Sequence, residues 1–197
     1  MTNPGKYEPA ALDLAGSQYT VEQTGRDGNF RPEYEARNAA GETVFRATYR
    51  MYQEKDEIPF VDPDGEELLT VKAEGTWDVA GDYLLTDSHT GEDLVVLDND
   101  FSLLGDTWQI RDAEDRSLIA EISSRGALVT LGRKLLPLGG WIGHEFEIAD
   151  ADGERVGAIE SGFAMFDEYE VTIADASSVP VEPVVIGAVV VDAIQGN

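Results

Sequence analysis

The most constraining feature of this chain is one short pattern that occurs five times. Each copy has an alternating apolar and polar segment, a turn built on Asp or Asn, usually with Gly, and a second alternating segment. Asp and Asn bond to nearby backbone groups in turns, and Gly adopts positive φ without a steric cost. Two alternating segments joined in this way predict a β-hairpin. The copies span residues 34–49, 58–71, 83–97, 108–122 and 146–159, with turns at 38–41, 62–65, 87–91, 112–115 and 150–153.

The spacing of the five turns is regular except before the last one. Successive turns begin 24, 25, 25 and 38 residues apart, so about 13 residues are added before the fifth hairpin. An extra segment is therefore expected between Ser123 and His144. The turns begin at Asn38, Asp62, Asp87, Asp112 and Asp150.

Five hairpins supply ten strands, and the alternation in residues 18–22 and 168–173 predicts two more. A flat sheet of about twelve strands would leave long exposed edges and one face without a partner. Closure into an antiparallel β-barrel removes both problems. A closed barrel of that size is too wide for its own side chains to fill.

The C-terminal segment is expected to fill this barrel. Residues 183–195 have no polar stripe, which in a helix indicates burial on all sides. Pro183 near the start and Gly196 past the end favour a helix, although a Val-rich segment is also typical of a buried strand. A membrane span is not favoured, because residues 181–194 are interrupted by Glu182 and Asp192 and fall short of the roughly 20 apolar residues required.

Four hairpins, a strand and the closing segment carry a resemblance to a known family. They read YEARNAAGETVFRA, FVDPDGEELLTV, YLLTDSHTGEDLVVL, FEIADADGERVGAIE, YEVTIAD and VVIGAVVVDAI. Over residues 18–195 the chain resembles the LURP-one-related family, which belongs with the tubby C-terminal domain and the phospholipid scramblases. The resemblance implies a twelve-stranded barrel around a buried C-terminal helix. We accordingly expect a partly flexible N-terminal extension, residues 1–17, and one barrel domain, residues 18–197, with its central helix at about 183–195.

The charge balance points to a particular environment. Asp and Glu total 39 against 14 Lys and Arg, which gives a net charge of -25, and four of the bases are Lys. This composition is typical of proteins that work in molar salt, where a Debye length of about 3 Å screens self-repulsion. The sequence thus predicts a halophilic archaeal source. Residues 1–15 lack the apolar core of a signal peptide, so we expect a cytoplasmic protein.

Candidate chemistry is sparse in this sequence. Nucleic-acid binding is not expected, because the chain lacks a large basic surface. Cysteine is absent, and His89 and His144 stand beside no nucleophile motif. The acid pairs in the turns beginning at Asp62 and Asp150 have a conformational reason to be there, and their spacing departs from a calcium-binding loop. We therefore expect no catalytic residues, no cofactor and no metal site.

One segment, residues 122–144, contains no acidic residue and is called the acid-free segment below. It carries Arg125, Arg133 and Lys134 among leucines and Trp141. Basic and apolar residues together are typical of a membrane-surface or partner-docking element. The alternative is that the segment is acid-free because it is buried as a cover over one barrel end. In the first interpretation, Arg125, Arg133, Lys134 and Trp141 contact a protein partner or an anionic lipid, which is similar to the binding of phosphoinositides by basic residues of the tubby domain.

Two functions follow from these features. The first is a non-enzymatic binding or scaffold module adapted to high salt. The second is a scramblase-like or tubby-like protein that associates with anionic lipid at the membrane surface and so lies at the membrane periphery. Neither requires a transmembrane segment.

Overall fold

The structure is a computed structural model that describes residues 7, 11–12, 14–28, 31–52, 55–73, 82–102, 105–124, 145–161 and 168–195. These ranges contain thirteen strands and one helix. The strands are β1 Gln18–Arg26, β2 Pro32–Asn38, β3 Thr43–Thr48, β4 Arg50–Tyr52, β5 Lys55–Val61, β6 Glu67–Ala73, β7 Tyr83–Asp87, β8 Asp93–Ser102, β9 Gly105–Asp112, β10 Leu118–Ser124, β11 Glu145–Asp150, β12 Arg155–Ser161 and β13 Glu168–Ile173, followed by helix α1 Val181–Gln195.

Twelve of the strands close into an antiparallel barrel, as the sequence predicted. Consecutive strands pair around the ring, β13 pairs with β1, and β3 pairs with β5. The short strand β4 was not predicted, because the first hairpin was expected to end at Tyr49. It continues β3 beyond Tyr49 and pairs with β5 in the register that β3 uses.

All five predicted hairpins are confirmed, and their turns share one hydrogen-bonding scheme. The side-chain Oδ1 of the first Asp or Asn accepts backbone N–H groups from within its own turn, as in Asn38, Asp87 and Asp150. Four turns place Gly at a φ between 75° and 91°. The fourth hairpin instead places Arg116 at a φ of 60°, one residue beyond the predicted turn. A side chain in this left-handed region costs about 1–2 kcal/mol.

Each hairpin also has a register shift just after its turn. The extra residue in the second strand is apolar and packs with the core in every case. Two of these bulges also bond to the next turn, since the carbonyls of Leu68 and Leu94 accept N–H groups from Ser88 at 3.0 Å and Ala113 at 3.3 Å. Neighbouring hairpins are thereby joined beyond their strand ladders. The bulged residues are Val44, Leu68, Leu94, Ile119 and Val156.

The predicted central helix is confirmed, and the alternative of a buried strand is wrong. Six helix residues, Val184, Val185, Ile186, Val189, Val190 and Val191, are buried among the inward side chains of the strands. The helix begins at Val181, two residues earlier than expected from Pro183. Proline is tolerated there because the first N–H groups of a helix have no intrahelical partner. Among the described residues, no helix is both long and apolar enough to cross a bilayer.

The chain path gives the barrel two different ends. Because the strands alternate in direction, all five Asp or Asn turns lie at one end, which we call the turn end. Helix α1 begins there, since it follows the end of β13, whose Ile173 N–H donates to Ser17 O at 2.8 Å. The other end, called the opposite end, holds Ser124, Glu145 and Glu168 at strand termini and the end of the helix.

Candidate functional site

The contact residues predicted from the sequence, Arg125, Arg133, Lys134 and Trp141, lie outside the described residues. The structure does place the strands that flank them. Strand β10 ends at Ser124 and β11 begins at Glu145, and Ser124 pairs with Phe146. Neighbouring antiparallel strands need a connection of about two to five residues. Strand β10 ends and β11 begins at the opposite end, and the 20 residues between them, 125–144, greatly exceed the usual length of such a connection.

The turn end is strongly acidic, in contrast to the acid-free segment. Among the residues of its five hairpin turns, the basic ones are Arg116 and, when protonated, His89. The acid-rich turn end and the acid-free segment thus belong to different ends of the barrel. The turn acids are Glu42, Asp62, Asp64, Glu66, Asp87, Glu92, Asp112, Glu114, Asp115, Asp150, Asp152 and Glu154.

The first carboxylates of these turns are occupied by the turns themselves. The Oδ1 atom of Asp62 accepts the Glu66 N–H at 2.8 Å, and that of Asp150 accepts the Glu154 N–H at 2.9 Å. Backbone N–H groups of Thr90 and His89 lower the pKa of Asp87, because their hydrogen bonds stabilise the ionised carboxylate. Across the described ranges, no group of three or more His, Asp or Glu side chains could hold a metal ion. The first Asp of each of these turns therefore has a conformational role.

A buried carboxyl group lies where the helix begins. Glu182, in the first turn of α1, is 4% exposed. Its Oε2 accepts the Tyr7 hydroxyl at 2.7 Å, and its Oε1 accepts the Leu12 N–H at 2.7 Å. Burial raises the pKa of Glu182 to about 7, although the hydrogen bonds from Tyr7, Leu12 and Ala11 act to lower it. Burial and the nearby Glu182 also raise the pKa of the Tyr7 hydroxyl, with a smaller contribution from Asp87.

Three residues that bond to Glu182, together with the nearby Leu14, form an N-terminal strap, defined here as Tyr7, Ala11, Leu12 and Leu14. Leu12 and Leu14 are buried in the core, and Tyr7 and Ala11 pack against it. The strap therefore lies over the first turn of the helix at the turn end. In the sequence, the corresponding signal is the acidic Glu182 at the start of an otherwise apolar segment.

The second acid of that segment is also paired with a tyrosine. The Tyr169 hydroxyl, from the start of β13, donates to the Asp192 carboxylate near the end of the helix. The sequence analysis treated Glu182 and Asp192 as interruptions of an apolar segment. The structure shows both as attachment points, one near each end of the helix.

Several bases on the barrel wall are neutralised by acids. Glu35 lies between Arg37, at 2.6 Å, and Arg46, at 2.9 Å, and Arg37 also reaches Glu22 at 3.2 Å. Partial burial would raise the pKa of Glu35, but the bonds from Arg37 and Arg46 together lower it. Arg37 of β2 and Arg46 of β3 are thus held in ion pairs on this wall. Exposed pairs of this kind contribute little stability each, roughly 0–1 kcal/mol.

Comparison with known families gives one match. A family model described as LURP-one-related matches residues 50–192, from β4 to the last turns of α1. None of the curated proteins compared with the chain matches it.

Proposed function

Because the chain belongs to the LURP-one-related family, we propose that it is a non-enzymatic binding or scaffold module adapted to high salt. Its contact element is the acid-free segment, with Arg125, Arg133, Lys134 and Trp141 as the residues that touch the partner. One observation carries this proposal. The segment adds twenty residues, 125–144, between two strands that pair directly with each other.

The filled interior supports a role for the outer surface. Helix α1 packs its aliphatic side chains against the inward residues of the strands, so the core of the barrel resembles a packed protein interior. A partner of protein size must therefore bind to the walls or the ends. The turn end is acidic, and Arg37 and Arg46 of the barrel wall are already paired with Glu35. The acid-free segment is the part of the sequence that best suits a partner with an apolar or anionic surface.

Apolar contacts must supply most of the affinity in high salt. Three positive charges are worth about 1 kcal/mol each beside an anionic surface at ordinary ionic strength. Molar salt shortens the Debye length to about 3 Å and screens much of that attraction. Trp141 and the leucines of the segment are therefore the expected energetic centre, with the bases orienting the partner.

A triple charge reversal tests the proposal. Changing Arg125, Arg133 and Lys134 to Glu is expected to abolish capture of a specific partner in molar KCl, while the unfolding free energy changes by less than about 1 kcal/mol. The matched control changes Arg46, Lys72 and Arg155 to Glu on the barrel wall, which makes the net charge equally negative. Retention of the partner by the control and its loss from the test variant are expected. Equal capture by all three proteins would refute the segment as the contact, and unfolding of the test variant would favour the buried-cover interpretation.

Anionic lipid is the second candidate partner, favoured by the combination of bases with leucines and Trp141. It would place the protein at the membrane periphery, whereas a protein partner fits a cytoplasmic module. Flotation with phosphatidylglycerol vesicles separates the two. Binding that is lost in Trp141→Ala and in the triple variant supports the lipid function, and no flotation in either low or molar salt eliminates it.

The adaptation to high salt has its own test. Dilution from molar KCl to about 0.1 M lengthens the Debye length from about 3 to 10 Å and strengthens repulsion among the acids. The melting temperature is expected to fall on dilution. A melting temperature that stays constant or rises would remove the high-salt part of the proposal.

A further inference from the structure

Among the residues that the structure describes, two polar side-chain atoms buried in the barrel have no hydrogen-bond partner. They are Oδ1 of Asn99 and Nε1 of Trp108. Asn99 is 5% exposed and Trp108 is 1% exposed, so solvent at the surface does not satisfy either atom. The two residues stand directly opposite each other on β8 and β9.

Their chemistry is complementary although they do not bond to each other. An amide oxygen accepts hydrogen bonds, whereas an indole nitrogen can only donate one. Leaving such groups unpaired in the interior is costly, because each one loses the hydrogen bonds that water would make with it. Directly opposed residues have Cβ atoms about 4.5–5.5 Å apart, which brings both side chains within reach of one small group.

The surroundings restrict what this group can be. The next inward pair along the same strands is Leu97 with Ile110, and Trp108 also pairs with Ile122 of β10. The Tyr83 ring lies 5.9 Å from the Trp108 ring. An ion would be uncompensated in this largely apolar setting and would be costly to bury. A neutral group that both accepts and donates is required, which is the chemistry of a hydroxyl.

We propose that the barrel binds one hydroxyl oxygen between Asn99 and Trp108. The oxygen accepts the Trp108 indole N–H and donates its own hydrogen to Asn99 Oδ1. This interior site is separate from the surface contact proposed above and does not depend on it. Ile122 lies two residues before the end of β10, so the site belongs to the opposite end of the barrel.

The hydroxyl can come from a buried water or from a neutral alcohol with an apolar remainder. NMR of the full-length protein distinguishes these sources through the Trp108 indole N–H, assigned by its loss in Trp108→Phe. A nuclear Overhauser effect (NOE) to a long-lived water signal, unchanged by octanol, identifies water. Replacement of that signal by an effect to alkyl protons when octanol is added identifies an alcohol. An indole N–H without either effect overturns the proposal.

A double-mutant cycle tests whether Asn99 and Trp108 share an occupant. Asn99→Leu and Trp108→Phe each remove one of the two bonds to the hydroxyl. The melting temperature of the double variant is expected to fall clearly less than the two single decreases combined, because the first change already releases the shared hydroxyl and the second change then has no bond left to remove. The control cycle changes Leu97 and Ile110, the adjacent apolar pair, to Val. Coupling no larger than in the control would overturn the proposal even if both single variants are destabilised.

A high-resolution crystal structure gives an independent check. One oxygen within about 2.7–3.2 Å of both Asn99 Oδ1 and Trp108 Nε1 is expected. A direct bond between the two side chains, or a site without density, would overturn it.

Discussion

The two ends of the barrel solve the problem of connecting antiparallel strands in different ways. At the turn end, each of the five connections has a turn that begins with Asp or Asn, followed by a bulge whose extra residue is apolar and packs with the core. At the opposite end, the connection between the paired strands β10 and β11 takes up residues 125–144. The connections at the turn end are therefore explained by one repeated local structure. The connection between β10 and β11 is longer than the pairing of these strands requires. Connections between regular elements carry a disproportionate share of the binding residues in proteins.

The helix contributes differently to the two ends as well. At its start, Glu182 accepts bonds from the strap, while near its finish Asp192 accepts a bond from Tyr169 of the barrel itself. The turn end thus combines turns and strap around a buried acid. We expect it to be the more stable end, but to respond to pH.

The largest expected effect comes from removing the helix, which supports both ends. Deleting residues 183–197 removes seven large aliphatic side chains, including Ile194, worth roughly 10–20 kcal/mol in total at about 1.5–3 kcal/mol each. That is comparable to the net stability of a whole domain, about 5–15 kcal/mol. Loss of cooperative unfolding, measured by calorimetry, is expected. Deletion of residues 196–197 alone is the control, and a truncated protein with the original melting temperature would contradict a structural role for the helix.

The next effect is confined to the turn end and depends on pH. The pKa of Glu182 is about 7 in the folded protein and about 4.5 when exposed. Between these two pH values the folded state therefore binds more protons than the unfolded state. The free energy of unfolding falls as pH rises through this range to about 7. The contribution of the Glu182 carboxyl to the free energy of unfolding is fully present below about pH 4.5. Its loss above pH 7 lowers that free energy by an amount on the order of 3 kcal/mol.

The Glu182→Gln variant isolates this effect. Its side chain stays neutral, so the difference in unfolding free energy between the two proteins is expected to change across pH 4.5–7. The two unfolding free energies are measured by chemical denaturation at each pH. A pH-independent difference would contradict the buried, protonated carboxyl.

A smaller effect is expected where two strands of the turn end approach closely. A Cβ atom on Gly157 would lie 2.3 Å from the Thr172 carbonyl oxygen, so the backbone must move in Gly157→Ala. Overpacking of this kind costs about 1–3 kcal/mol. The control is Gly187→Ala, whose Cβ would meet the mobile Cδ1 of Ile122 at 3.1 Å. Chemical denaturation should show a loss in the first variant and little change in the second, and equal losses would argue against the close approach.

The smallest expected effect distinguishes the hydrogen bonds of the turn carboxylates from their charge. Asp62→Ala removes an acceptor for the Glu66 N–H and is expected to cost about 1 kcal/mol. Asp64→Ala removes an exposed acid from the same turn and is expected to change stability by less than about 0.5 kcal/mol. Equal changes in melting temperature would mean that charge, and not the hydrogen bond, explains the acids of the turn end.

Local patterns in the sequence predicted most of the fold. The hairpins follow from short-range turn chemistry, and β13 has the bounds that alternation predicted. The bulges correspond to adjacent apolar residues, such as Leu68 and Leu69, that interrupt strict alternation. Strand β4 was missed because its pairing with β5 continues across an interruption at Tyr49, which alternation alone does not show.

The site residues were less predictable, because their environments depend on distant parts of the chain. Glu182 bonds to residues about 170 positions away, so the local pattern shows it only as an acid that interrupts an apolar segment and not as a buried acceptor. Asn99 and Trp108 become a pair only through the register of β8 and β9. The contact residues Arg125, Arg133, Lys134 and Trp141 stay a prediction from composition.

The position of the helix in the chain has a consequence for synthesis on the ribosome. The strand that closes the ring, β13, is followed directly by the segment that fills it. Hairpins can form early because their contacts are local, but closure with β1 requires residues more than 140 positions apart. Until the helix has been translated, the nascent strands lack the core against which their apolar faces pack.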